Sequence, residues 1–245
     1  MQIYSDLAMA LDPALLFARV IGAEPDEFQR EILTGTDPRV LACCGRGTGK
    51  SAATAIAAAH QALYAPGSLT IVGSPSLNVS QELGRKIFQA IKTVDAETVQ
   101  ENLSRIELRN GSRVIVLPAS EKTRGLHGCE LLIIDEGQLV EPEMFSVLEP
   151  FQSTAKNPRK IVLGTPKAKI GKFWEYFSNG QYKVLKVRST ECSRISKEFL
   201  EAQLAALGPH EFAQEYEAEF QDPTSAVFSS SLIDAATRDY QVWNV

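Results

Sequence analysis

Residues 43–51, CCGRGTGKS, hold the densest chemistry in the chain. Gly45, Gly47 and Gly49 alternate with other residues and lead into Lys50 and Ser51. This is the end of the phosphate-loop pattern G-x-x-x-x-G-K-[ST], in which backbone N–H groups at a helix N-terminus cradle phosphate oxygens. Cys44 stands where that pattern has its first glycine. The position falls at the end of the preceding strand, cysteine is small, and Gly45 is there to make the turn. Lys50 is expected to pair with β- and γ-phosphate oxygens and Ser51 to place its hydroxyl on Mg²⁺. Arg46 adds a guanidinium suited to phosphate oxygens. Gly45, Arg46, Gly47, Thr48, Gly49, Lys50 and Ser51 form the expected ATP-binding set.

Binding alone does not break a phosphoanhydride. Hydrolysis also needs a metal held from a second strand and a group that orients or deprotonates water. The segment LLIIDEG, 131–137, offers both. Asp135 ends an apolar run and is the expected Mg²⁺ partner through water, and Glu136 is the expected catalytic carboxylate on an adjoining strand. The bland alternative is an acidic pair in an ordinary turn. Arg124, in KTRGLHG, could neutralise charge developing on the γ-phosphate or sit in a surface ion pair. Gln29 could read an adenine edge beside Phe28, or be an exposed helix glutamine. Thr165, in LGTP, could sense the γ-phosphate or cap the turn before Pro166. His60, His127 and His210 are scattered without metal-ligand or nucleophile spacing.

The elements around these residues read as alternating strands and helices. RVLACC (39–44) is a short apolar run before the loop, and KSAATAIAAAHQALY after it is an alanine-rich helix. SLTIVGS is a second strand, followed by a helix from about Ser76 to Thr93. SRIELRNGSRVIVLP (104–118) alternates on both sides of Asn110-Gly111, which predicts a type I′ hairpin. ELLIIDEG and RKIVLGTP are continuous apolar runs, the pattern of strands buried on both faces. Upstream, DLAMALDPALLFARVIG predicts helix interrupted at Pro13, and EPDEFQREIL a second short helix. QYKVLKVRS suits one more strand. Two helices joined near Gly208-Pro209 follow, then a weakly patterned tail. The expected fold is α/β: a mostly parallel central sheet flanked by helices, with a small C-terminal helical lid. The expected division is a core over 1–170 and a lid with linker over 171–245.

Composition is that of an ordinary soluble domain: 245 residues, 44% hydrophobic and 22% charged. No apolar run is long enough for a membrane span and no secretory leader is read at the start, so a cytosolic setting without membrane contact is expected. The four cysteines lack paired metal-ligand spacing and read as small buried hydrophobes; Cys43 and Cys44 should face opposite sides of one strand. The net charge of −5 does not advertise nucleic-acid binding. One stretch, KNPRKIVLGTPKAKIGK (156–172), is basic without an acid and reads as a solvated rim or a binding stripe.

Taken in order, DEFQREIL, CGRGTGKS, the IELRNGSRVIVLPA hairpin, TRGLHG, LLIIDEG, LGTP and FAQEYEAEF resemble the ATPase domain of the large terminase subunit of tailed bacteriophages, over about residues 25–228. The resemblance implies a P-loop NTPase of the ASCE type, with ATP and Mg²⁺, that drives double-stranded DNA into a procapsid. It implies that Arg46 is the loop's basic residue and Arg124 a finger reaching a neighbouring subunit's nucleotide. It further implies Gln29 as the glutamine upstream of the loop and Thr165 within the coupling motif. Gly137 stands where alanine is common, a departure expected to matter little. The implied partners are duplex DNA, a ring of like subunits, the portal protein and the small terminase subunit, in the host cytoplasm at the portal vertex. Members of the family carry a nuclease domain after the ATPase. The tail here offers only Asp234 and Asp239, so an isolated motor without nuclease activity is expected. DNA contacts should be mainly to phosphates, with Arg85 and Lys86 as candidates and the 156–172 run as a second possibility. Two other readings stand beside this one: a helicase-like or DNA-repair translocase ATPase, and an ATP-binding scaffold or switch without significant turnover.

Overall fold

The computed structural model describes residues 2–102, 104–118, 126–223 and 236. Arg124, Asp234 and Asp239 lie outside the described residues. The chain opens with helices α1 (Gln2–Leu11), α2 (Pro13–Ile21) and α3 (Glu27–Thr34). Then come β1 (Arg39–Cys44), α4 (Lys50–Tyr64), β2 (Leu69–Ser74), α5 (Leu77–Thr93), β3 (Thr98–Asn102), β4 (Arg105–Leu108) and β5 (Arg113–Pro118). The remainder runs β6 (Leu131–Ile134), α6 (Pro142–Leu148), β7 (Arg159–Gly164), α7 (Gly171–Ser178), β8 (Lys183–Val187) and α8 (Lys197–Glu215).

Among the described residues the strands form one eight-stranded sheet in the order β3-β4-β5-β2-β6-β7-β1-β8. From β5 to β8 every pairing is parallel, and β3 and β4 extend one edge antiparallel. Parallel strands need crossovers, and the helices that supply them cover both faces, so β1, β2, β6 and β7 are almost wholly buried. The strand expected at QYKVLKVRS is β8, which joins the sheet beside β1. One expectation changes here. β6, with the acidic pair at its end, is not the neighbour of β1, because β7 lies between them. The end of β7 therefore stands between the phosphate loop and the acids.

Strand alternation divides the core. Val40, Ala42 and Cys44 pack toward α4 and α5 with Ile133, Ile161 and Leu163. Leu41 and Cys43 pack on the other face with Leu132, Ile134, Val162, Phe145 and Phe173. The adjacent cysteines thus face opposite layers, both fully buried, and burial pushes the Cys44 thiol up to about 12. A thiol held neutral in this way is packing material. On the α4 side, Ala53, Ala58, Ala59 and Ala62 are fully buried, small side chains that let the helix lie close to the strands.

The hairpin turn differs from the predicted type. Gly111 has φ 82 while Asn110 does not have positive φ, so the loop is not I′. Gly111 N–H donates to Leu108 O at 3.0 Å and Leu108 N–H to Ser112 O at 2.9 Å, a type I turn closed by a glycine bulge. The physical reason is Asn110, whose amide donates to Ala62 O and Leu63 O and so caps the carbonyl end of α4. At the far end of the chain, α8 is broken at Gly208 (φ 76, ψ 166) just before Pro209, the expected joint between two helices.

Candidate active site

The loop between β1 and α4 has its glycines for two reasons. Gly47 and Gly49 take positive φ, 76 and 88, which ordinary side chains resist. Gly45 does not; its backbone is crowded instead. A Cβ there would lie 2.4 Å from Ser189 Oγ and 2.6 Å from Tyr216 O. Cys44 ends β1 without difficulty, so the first glycine of the pattern is dispensable in this geometry. Thr48 is fully buried and spends its hydroxyl on Gly45 O at 3.0 Å, leaving only its backbone for a ligand.

Three other elements brace the loop. Gln29, expected to be either exposed or turned to a base, is 2% exposed. Its carbonyl oxygen accepts from Asp26 N–H at 2.9 Å, while its Nε2 lies 3.5 Å and 3.4 Å from Thr48 O and Gly49 O. With both ends of the amide committed, Gln29 fastens α3 to the loop, and Phe28 packs into the core beside it. Arg194, which follows β8, donates to Thr48 O at 2.8 Å and to Asp26 Oδ2 at 2.6 Å. From the C-terminal part of the chain, Ser189 Oγ donates to Arg46 O at 2.7 Å and Arg46 N–H to Glu215 O at 2.8 Å.

Arg46 also departs from expectation. Its guanidinium is paired with Glu215 at the end of α8 rather than lying over the loop. Burial alone would raise the Glu215 carboxyl, but hydrogen bonds from Arg46 and Gln214 outweigh it and hold the group below its ordinary range. The other cation of the loop is Lys50. Its side chain is buried, with Nζ 3.2 Å from Thr165 Oγ1. Thr165 donates in turn to Cys44 O at 3.0 Å. Thr165 is therefore at the site, between β1 and Lys50, rather than merely capping the turn before Pro166. Ser51 follows Lys50 in the first turn of α4 and is half-buried.

At the end of β6, Asp135 is 5% exposed. Burial, reinforced by the neighbouring Glu136 charge, pushes its carboxyl up to about 6, with Lys50 and Lys86 acting the other way. Glu136 has φ 49 and ψ 43, a left-handed backbone that costs a residue with a β-carbon roughly 1–2 kcal/mol. Its carboxylate accepts from Gln138 Nε2 at 2.6 Å. Gly137 matters more than expected: a methyl there would lie 2.7 Å from Val162 Cγ1 and 3.2 Å from Phe173 Cδ2, so glycine lets the turn press onto β7.

The basic run at 156–172 does not form one stripe. Arg159 donates to Ile32 O and Asp37 O, Lys160 pairs with Glu149, Lys169 with Asp222 and Lys172 with Glu175. Arg85 pairs with Glu82 at 2.8 Å, and Lys86 is exposed on α5. A cleft of about 580 Å³ opens between α3 and β8, lined by Asp26, Phe28, Cys192 and Ser193, which flank Gln29 and Arg194. Sequence reading missed Arg194, Ser189, Glu215 and Gln138. Gln138, two residues after Glu136, was in plain view; the other three lie more than 100 residues from the loop they brace and carry no local signal.

Residues 41–235 match the family model described as terminase large subunit, T4likevirus-type, N-terminal. The large terminase subunit of Thermus phage G20c is 24% identical over 260 residues, covering 89% of this chain and 53% of that protein. The chain thus spans about half the length of the curated relatives it matches. Among solved structures, the large terminase ATPase domain of Thermus phage P74-26 superposes with TM-score 0.74 at 21% identity, covering 85% of this chain and 99% of that one. The large terminase of thermophilic bacteriophage D6E in complex with ADP gives 0.65 at 10% identity, covering 80% and 54%. With the motif order, the sheet and the family match in agreement, this chain belongs to the T4likevirus-type terminase large subunits and carries their N-terminal region.

Proposed function

We propose that the chain hydrolyses ATP and that hydrolysis drives double-stranded viral DNA into a procapsid. The observation that carries this reading is the meeting of three strand ends. Lys50 and its loop follow β1, Thr165 follows β7 and touches Lys50, and Asp135 and Glu136 follow β6. Backbone amides from Gly45 to Ser51 and the Lys50 ammonium would hold the triphosphate. Glu136 would accept the proton of the attacking water or orient it. A scaffold without turnover has no use for a carboxylate held at positive φ, which costs folding energy where a glycine would not.

The residues fit Mg²⁺. Asp135 is a buried carboxylate whose ionised form burial disfavours, and a hydroxyl donor stands on the first turn of α4. Hard oxygen donors of this kind, few in number, suit an ion that keeps several waters and is shared with phosphate. Bound there, the ion would neutralise charge on the β- and γ-phosphates. Ser51 and Asp135 would hold it, and Lys50 would take the remaining charge.

Arg46 is proposed as a phosphate ligand only after leaving Glu215, and Thr165 as the link between nucleotide and β7. Gln29 supports the loop rather than the base. The proposed lid is read from Arg188 onward, with β8 part of the sheet. DNA is proposed to bind through phosphates, with Lys86 a better candidate than Arg85, whose charge Glu82 offsets. A ring of subunits on the portal, with Arg124 acting on a neighbour's nucleotide and the small terminase subunit as a further partner, completes the proposal.

Steady-state ATP hydrolysis with and without duplex DNA tests it. Turnover should rise with protein concentration and vanish in Lys50→Ala. Mixing Lys50→Ala with Arg124→Ala subunits should restore part of the activity, because each supplies what the other lacks. Absence of turnover in the wild type at every concentration would favour the scaffold reading; failure of every mixture would return Arg124 to a role within its own subunit.

A further inference from the structure

The geometry points to Gln138 as the positioning residue for Glu136, an amide wedged between the acid and the end of β7 that sets where the carboxylate aims. The inference rests on the reading of Glu136 as the hydrolytic carboxylate and adds what holds that carboxylate in place.

Four observations meet at this amide. Gln138 Nε2 donates to Glu136 Oε2 at 2.6 Å, a short charge-assisted contact. A carboxylate only accepts, so the amide's orientation follows from its partner. One carboxylate oxygen is thereby fixed. Second, Gln138 Oε1 is buried and has no hydrogen-bond partner among the described residues. Such an acceptor ordinarily costs enough that a protein avoids it, so this end of the amide is held by packing while the other is held by its bond to Glu136. Third, that oxygen lies directly over Gly164. A Cβ on Gly164 would lie 1.9 Å from Gln138 Oε1 and 3.0 Å from its Cδ, so the amide fits only because β7 ends in glycine. Fourth, the turn cannot retreat, since Gly137 already presses on Val162 and Phe173.

The residue after Gly164 is Thr165, whose hydroxyl meets Lys50 Nζ. One strand end therefore touches both the phosphate-binding lysine and the amide that steers the acid. A displacement of that strand end on nucleotide binding or release would reach Glu136 through Gln138. A surface glutamine with a purely structural role would influence folding but not the chemical step separately from binding.

The test compares Gln138→Met, which keeps length and removes the donor, with Gly164→Ala, which evicts the amide from the other side. Each should lower kcat for ATP by about 10- to 50-fold while KM and the Kd for a fluorescent ATP analogue stay within about two-fold. The double variant should be no slower than the worse single, because both changes break one unit. Gln138→Glu, of equal size, serves if the Met variant does not fold; two adjacent carboxylates should give a similar loss. A contact readout without turnover comes from the Gln138 side-chain amide resonances. They should move markedly in Glu136→Ala and little in Lys50→Ala. Wild-type kcat in both Gln138→Met and Gly164→Ala, or a raised KM at unchanged kcat, would overturn the inference, as would amide resonances indifferent to Glu136. Glu136→Gln separates the two layers: if it retains turnover, the hydrolytic reading falls, whereas an inactive Glu136→Gln beside a fully active Gln138→Met removes only the positioning role.

Discussion

The phosphate loop and the acidic turn stand a strand apart and are held in opposite ways. The loop is fixed from three directions, by Gln29 on α3, Arg194 beyond β8, and Ser189 with Glu215 at the end of α8. Among the described residues, the acid rests on a backbone in the left-handed region and on one side-chain hydrogen bond from Gln138. Redundant bracing suits a cradle that must present its amides without reorganising when phosphate arrives. A carboxylate on a strained backbone suits a group whose aim changes within a cycle, since strain keeps alternative positions close in energy. What the contrast teaches is that binding and hydrolysis can be separated by mutation here.

The sharpest break should come at Asp135. Asp135→Asn is expected to cut ATP turnover at least about 100-fold through loss of the metal partner, yet to stabilise the metal-free protein. The sign follows from the raised carboxyl: a folded value near 6 against an ordinary 3.8 means a contribution present at low pH and lost as pH rises from about 3.8 through 6. Above that window the substitution should gain on the order of 1–3 kcal/mol, read by urea unfolding at pH 7.5 and vanishing near pH 3.5. Added Mg²⁺ with nucleotide should narrow the gap by stabilising the wild type.

A milder break belongs to the cradle. Arg194→Ala removes two hydrogen bonds but leaves Gln29 and Ser189 in place. ATP affinity measured by titration calorimetry should fall about 5- to 10-fold, with kcat at saturation nearly unchanged, since redundancy limits the damage. A loss confined to kcat would assign Arg194 to the reaction and erase the contrast between the two regions.

The smallest effect concerns the pair between Arg46 and Glu215. Glu215, held below its ordinary value by Arg46 and Gln214, contributes stability present above pH 4.5 and lost as pH falls below it. Glu215→Gln should flatten that segment of the stability–pH curve by less than about 1 kcal/mol, because Arg46 is largely exposed and solvent screens the pair. Thermal melts between pH 3 and 7 would show it.

Much of the cradle was legible because its signal is local. Three glycines, a lysine and a serine sit within seven residues, between an apolar strand and an alanine-rich helix. The acidic pair was legible for the same reason, an apolar run ending in two carboxylates. Placing them relative to each other was not, because no local pattern states that β7 slots between β1 and β6. The contacts of Gln29 with the loop are not legible in the sequence, because its partners lie 19 and 20 residues on, where only the tertiary structure brings them. Arg46 was read from its position in the loop, while its partner Glu215 stands 169 residues away. Asn110-Gly111 was read as a turn, and the turn exists, but contact with the end of α4 changed its type. β3, α6 and α7 carry little local signal because TVQEN, PEMFSVL and GKFWEYFS are short; β3 gains its structure from the sheet edge it joins, and the two helices from the packing they enter.

The most direct measurement pairs binding with turnover in Glu136→Gln, which keeps the side chain's size and removes its charge. ATP with Mg²⁺ should bind this variant within about three-fold of wild type, while steady-state hydrolysis falls at least about 100-fold, the loss typical of an absent general base. Hydrolysis at the wild-type rate with binding intact would contradict the account and place the water-activating group elsewhere.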